Sequence, residues 1–169
     1  MARIEDPAQL GMFGSGAQPT AAVAPPITPP EDEDEGDTLA VFTWGYGNRS
    51  HNDLRNVIEK YGIKTVVDVR RSVEGRNTRW RASQLRQVFP EYIHFGALGN
   101  AFGTPDGEWC PNSDIAARQG VRQVAALYAE GKGPVLLICC EASPSGCHRK
   151  QVAEAVAKIV GGGIANLIV

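Results

Sequence analysis

"PVLLICCEASPSGCHRKQVAEAVAKIV", residues 134–160, is the stretch whose reading decides the fold. Its opening, to Cys140, is apolar without alternation, the pattern of a strand covered on both faces and therefore paired in parallel. From Cys147 onward Val152, Val156 and Val160 recur at helical spacing, and Gly161 to Gly163 stop the run. A buried strand feeding a helix through a short loop is half of a β-α-β unit, the crossover that parallel pairing demands.

Working outward, the same alternation of elements repeats. "TLAVFTWG" (38–45) reads as a buried strand stopped by glycine, and "IKTVVDV" (63–69) as a second. Between them Ser50 begins a helix. Asp53 stands three residues on as the partner of a capping box, Leu54, Val57 and Ile58 share one face, and Tyr61-Gly62 ends the element. "RRSVEGRNTRWR" (70–81) is irregular, "ASQLRQVF" (82–89) reads as a helix, "EYIHF" (91–95) as a short strand and "GALGNAFGTPDGEW" (96–109) as a glycine-rich loop able to close over a ligand. A helix is expected from Ile115 to Glu130 with Val121, Val124, Ala125 and Tyr128 on one stripe, and "ANLIV" (165–169) supplies a last strand. The fold class that follows is α/β: a single open, mostly parallel sheet with helices on both faces, a Rossmann-like three-layer arrangement.

Composition bounds the rest. A chain of 169 residues, 43% hydrophobic, holds one core of ordinary size. The folded domain is expected over 39–169, with residues 1–38 as a disordered tail rich in alanine, proline and glycine that cannot offset the entropy of ordering. Residues 1–37 carry eight acidic groups against Arg3, leaving 11 acidic and 16 basic groups for the body, about five positive charges in excess. The acidic "EDEDEGD" run is either plain solvation or a screen for the basic body. Inside the tail, "QLGMF" resembles the short peptides with which bacterial proteins dock into the replication sliding clamp; Gln9, Leu10, Met12 and Phe13 would fill an apolar groove. No apolar run approaches membrane-spanning length and the N-terminal residues lack a secretory pattern, so a cytoplasmic protein with reduced thiols is expected, with no membrane partner.

Chemistry collects where the strands end. Asn48 and Arg49 follow the first strand, Asp68, Arg70 and Arg71 the second, His94 the third, and Cys140, Glu141, Cys147, His148 and Arg149 the fourth. In a parallel sheet these groups converge on one edge, where ligands sit. Residues 70–86 hold six arginines, Arg76 among them, against Glu74, and Trp80 stands in their midst. Guanidinium groups suit phosphate and an exposed aromatic can stack on a base, so a nucleotide or DNA is the expected partner; the plainer alternative pairs Arg70 with Asp68 or Glu141. Cys139, alternating with Cys140, is expected to face away as a small buried hydrophobe. Cys147 at a helix start beside His148 and Arg149 is expected to favour the thiolate, and Glu141 with His148 to form an acid/base pair. No C-x-x-C pair exists and Cys140, Cys147 and His148 would need a fourth ligand, so neither a metal nor another cofactor is expected.

Taken together, "TWGYGNRS", "VVDVRRS", "YIHFGALG" and "VLLICCEASPSGCHRKQVAEAV" resemble the domain of unknown function 488 family over about residues 41–160. The resemblance implies a pocket on Asn48, Arg49, Asp68, Arg70, His94, Gly99, Cys140, Glu141, Cys147, His148 and Arg149. Trp44 and Tyr46 stand where the family has an apolar residue and a histidine. A phenol titrating near 10 does not replace an imidazole base at neutral pH.

Overall fold

The computed structural model describes residues 40–75, 77–89 and 91–167. Five strands and four helices alternate: β1 (Ala40–Gly45), α1 (His51–Lys60), β2 (Thr65–Asp68), α2 (Ala82–Val88), β3 (Tyr92–His94), α3 (Asp114–Ala129), β4 (Val135–Cys139), α4 (Arg149–Val160) and β5 (Gly163–Leu167). Single 3-10 turns at Thr78–Trp80 and Gly96–Leu98 precede α2 and follow β3. The strands form one sheet in the order β3-β2-β4-β1-β5, and every pairing is parallel.

The unalternating apolar runs are explained by the two cores. On one face α3 and α4 cover Val41, Val67, Val135, Leu137 and Cys139. On the other, α1, α2 and Trp80 cover Trp44, Val66, Leu136 and Ile138. β4 lies at the centre and all five of its residues are buried, which is what a strand with both faces covered needs. β5 closes one edge and its pattern is mostly exposed.

Local signals account for the helix ends. Ser50 caps α1 in a full capping box: its Oγ accepts from Asp53 N, while Ser50 N donates to Asp53 Oδ2 at 2.7 Å. Ser113 Oγ caps α3 through Ala116 N, so that helix begins at Asp114 rather than Ile115. Gly161 ends α4 in the left-handed conformation at φ 74°. The last strand begins at Gly163, two residues before the stretch expected from β-propensity, because β1 offers Ala40 as its partner there.

No helix among the described residues is long and apolar enough to cross a membrane. The clamp-like peptide Gln9, Leu10, Met12 and Phe13 and the acidic run lie outside the described residues, as does Arg76.

Candidate functional site

The carboxyl ends of β2, β4 and β1 lie side by side, and the segments that follow them diverge to leave a cleft of about 360 Å³. Its floor holds Cys139, Cys140, Glu141 and His148, and its walls Tyr46, Arg71, Ser72, Asn100, Thr104 and Asp106. The glycine-rich loop thus forms one wall. Gly107, at φ 81°, lets this wall reach the β4–α4 loop, where a Cβ would sit 2.8 Å from Ser145 O. Gly99 has a similar role, since a Cβ there would lie 2.1 Å from Arg71 N.

At the floor one carboxylate gathers three thiols. Cys139 Sγ and Cys147 Sγ donate to Glu141 Oε2 at 3.0 and 2.9 Å, and Cys140 Sγ donates to Oε1 at 2.9 Å. Cys139 therefore does not face away. Strand alternation holds only while the ladder lasts; β4 ends at Cys139, the chain bends at Cys140, and the two sulfurs come to 3.9 Å. Cys140 is the exposed member, whereas Cys139 and Cys147 are 1% and 2% exposed.

The electrostatics follow from this crowding. Burial pushes the Glu141 carboxyl up, but the Cys140, Cys147 and Cys139 donors outweigh it and hold the group at about 2. Cys147 is brought down to about 6, chiefly by the Cys139 thiol beside it and also by His148 and the Arg149 backbone N–H, against burial. Cys139 is pushed well up by its Cys140 and Cys147 neighbours and by burial. Burial lowers His148, yet the Cys147 thiol and the Val69 carbonyl outweigh it and its pKa is raised. Cys147 and His148 thus lean toward a thiolate–imidazolium pair. No hydrogen bond joins Glu141 to His148 as the acid/base reading expects: Glu141 accepts from the thiols, and His148 Nε2 lies 3.0 Å from Val69 O.

The arginines behave differently from one another. Arg70 is 7% exposed and all three of its guanidinium nitrogens are engaged: Nε and Nη2 bond the Asp68 carboxylate, Nη1 donates to Tyr46 Oη at 3.0 Å and Nη2 to Trp80 O at 2.7 Å. Asp68 is completely buried and also accepts from Tyr92 Oη at 2.7 Å. Arg149, 1% exposed, donates from Nη1 to Glu141 O at 2.6 Å and from Nη2 to Ala142 O at 3.2 Å, fastening the loop that carries Glu141. Gly45 makes room for this clamp, since a Cβ there would lie 1.7 Å from Glu141 O. Both arginines are framework. Arg71 is exposed on the cleft rim, its guanidinium 5.9 Å from the ring of Phe102, itself 91% exposed.

Other expected positions separate in space. Asn48, in the left-handed conformation at φ 60°, and Arg49 line a neighbouring cleft of about 720 Å³ with Asp53, Asn77 and Arg79. Arg49 Nη1 donates to Gly45 O at 2.8 Å, and its guanidinium lies over Trp44. Tyr46 borders both clefts; burial is the main reason its phenol is raised above 10.0, so it stays neutral at ordinary pH. His94 Nε2 lies 2.7 Å from Arg70 O, pinning the post-β2 segment rather than the cleft. Trp80 is 1% exposed, stacked on Tyr46 with ring centroids 4.4 Å apart; it belongs to the core and cannot stack on a base.

No curated protein and no solved structure matches this chain. Residues 52–156, from the second position of α1 into α4 and including the whole thiol cluster, match the model of the domain of unknown function DUF488, and the chain belongs to that family.

Proposed function

We propose that the protein is an enzyme acting on a phosphate-bearing ligand, a nucleotide or DNA, held in the cleft beyond the carboxyl ends of β2 and β4. The carrying observation is the division of labour among the three clustered thiols: of these Cys140 alone is exposed, it opens onto the cleft, and its Sγ already donates to a carboxylate that no arginine among the described residues neutralises. A thiol so placed is a nucleophile with an adjacent proton acceptor. As sulfur forms its bond to the electrophilic centre, the thiol proton passes along the hydrogen bond through Glu141 to the departing group as that group's bond breaks; the carboxylate, held at about 2, relays the proton rather than keeping it. Transfer to water or to a second acceptor then frees the sulfur. The remaining polar groups fit positioning roles. Arg71 on the rim of one cleft and Arg49 and Arg79 in the other are the cations left facing open space, and Tyr46 divides the two. An anionic chain longer than one phosphate would lie across both, with Asn48 near its sugar.

The test is a thermal-shift screen against nucleotides and short DNA, followed by turnover assays on whatever stabilises. Ligand at about 100 times its dissociation constant adds roughly 2.7 kcal/mol of apparent stability. Cys140→Ala is expected to keep the shift and lose turnover by about a hundredfold or more, the scale on which a single general-base or nucleophile partnership acts. Arg71→Ala is expected to lose the shift. Full turnover in Cys140→Ala overturns the thiol mechanism. Binding without turnover by the wild-type chain favours instead a non-catalytic adaptor, tethered to the sliding clamp through Gln9 to Phe13.

A further inference from the structure

We propose that Cys139, Cys147 and His148 form a binding site for one soft divalent metal ion of the zinc class. The site lies behind Cys140 and shares the cleft floor through Cys139 and His148, but the proposal does not rest on which ligand the cleft takes.

The donor set is the first argument. One ligand atom from each of the three residues lies within 4.8 Å of the other two, and all three residues are buried. Tetrahedral zinc, with metal–sulfur near 2.3 Å and metal–nitrogen near 2.0 Å, sets neighbouring donors roughly 3.5–3.8 Å apart. The cluster therefore needs a contraction of about 1.3 Å at most. Thiolate and imidazole together select zinc-like ions over magnesium or calcium, which prefer oxygen.

The second argument is the support of the histidine. A backbone carbonyl only accepts, so the 3.0 Å contact of His148 Nε2 with Val69 O places the proton on Nε2 in the neutral ring. Nδ1 is then the nitrogen with a free lone pair. A metal-ligating histidine is ordinarily fixed in this way, its second nitrogen donating to a carbonyl or carboxylate.

Rigidity is the third. Cys139 is the last residue of the central strand, its own carbonyl accepting from Tyr46 N at 3.0 Å. Cys147 and His148 sit at the start of α4, where Lys150 N and Val152 N bond their carbonyls. Such backbone anchoring fixes three donors without help from a mobile loop.

The fourth position is left to water or to Glu141, which adjoins two of the three donors. Its Oε2 lies 3.0 Å from Cys139 Sγ and 2.9 Å from Cys147 Sγ, the two sulfurs that would bind, while Oε1 stays on Cys140. Binding replaces the two thiol protons and any proton on His148 Nδ1, and these are released to solvent. Sequence spacing conceals the site because Cys139 is assigned to the wrong face by alternation.

The test is a cobalt titration of the full-length chain after stripping with a chelator, alongside metal analysis of the protein as purified. The expected result is about one cobalt per chain, with thiolate-to-cobalt charge-transfer bands and the strong visible bands of a tetrahedral ion. Cys110→Ser, whose thiol is outside the cluster, should bind unchanged. Cys147→Ser and His148→Ala should weaken binding by about a hundredfold or more, beyond the loss typical of an outer-shell change. Less than about a tenth of an equivalent in the wild-type chain, or a cobalt spectrum without charge transfer, overturns the proposal. So does unchanged affinity in Cys147→Ser. If either variant fails to fold, the wild-type cobalt spectrum decides by itself. Turnover enters nowhere in this test, so a failed metal site and a failed thiol mechanism give different results.

Discussion

At the scale of the residue, the firmest commitment is the Asp68–Arg70 pair. Both side chains are almost wholly out of solvent, at 0% and 8% exposure, and the guanidinium also holds Tyr46 and the Trp80 carbonyl. A buried pair contributes little net stability relative to an apolar replacement, yet removing one partner strands the other charge. Asp68→Asn keeps the shape and one acceptor but leaves the Arg70 charge uncompensated, so it should lower the unfolding free energy by about 3–5 kcal/mol in urea melts. A loss under about 1 kcal/mol would mean that water reaches the guanidinium. The pairing of Arg70 is legible in sequence as one of two alternatives, because both carboxylates stand at strand ends. What sequence does not carry is burial. Trp80 reads as a ligand-stacking group because it stands among arginines, which are usually solvated, and Arg149 as a phosphate holder because it stands at a strand end and helix start. Here Trp80 fills the second core against Trp44 and Tyr46, and Arg149 satisfies two loop carbonyls.

At the scale of the element, what is legible depends on whether the signal is local. The capping box of α1 needs only Ser50 and Asp53, three positions apart, and it forms as the spacing dictates. The end of β4 is not local: only the bend after Cys139 and the return of the chain at Cys147 bring three sulfurs to one carboxylate. After β2, Arg71 and Arg70 are indistinguishable by composition, so which of the two is left as the cation on the rim is legible only from burial. The capping box gives a pH prediction. Asp53 is depressed below its ordinary 3.8, first by the Ser50 backbone N–H and then by the Ser50 hydroxyl. A carboxyl with a lowered folded-state pKa adds stability above its unfolded value and loses it as pH falls through the folded one. Wild type should therefore exceed Asp53→Ala in melting temperature at about pH 7, and the gap should shrink below about pH 4. Ser50→Ala, which removes the cap to Asp53 N, should cost about 1 kcal/mol at neutral pH. A gap that stays constant into acid would place the stabilisation in packing rather than in the ionised cap.

At the scale of the whole domain, the unalternating strands are the feature from which the architecture follows. β4 carries Leu136 into the core under α1 and α2 and Leu137 into the core under α3 and α4, and both are fully buried. The site sits where this strand ends, so both cores hold its floor in place: Cys139 and Cys147 are packed in one, and Tyr46 rests against the other. If the two layers were separable, the cleft would be a hinge. The sheet argues otherwise, because β4 is hydrogen-bonded to both β1 and β2 and sends alternate side chains into each core, so losing one layer exposes the fully buried side chains on that face of the shared strand. Leu136→Ala and Leu137→Ala should each lower stability by about 2–5 kcal/mol, the range for deleting a fully buried leucine. In each, fluorescence of the tryptophans, two of which lie in the second core, and far-ultraviolet dichroism should follow one coincident urea transition. Leu137→Ala is the more telling variant, since its cavity lies in the opposite core from Trp44 and Trp80. If the fluorescence transition held its wild-type midpoint while dichroism shifted, the layers would unfold separately and the thiol cluster would lie on a movable boundary.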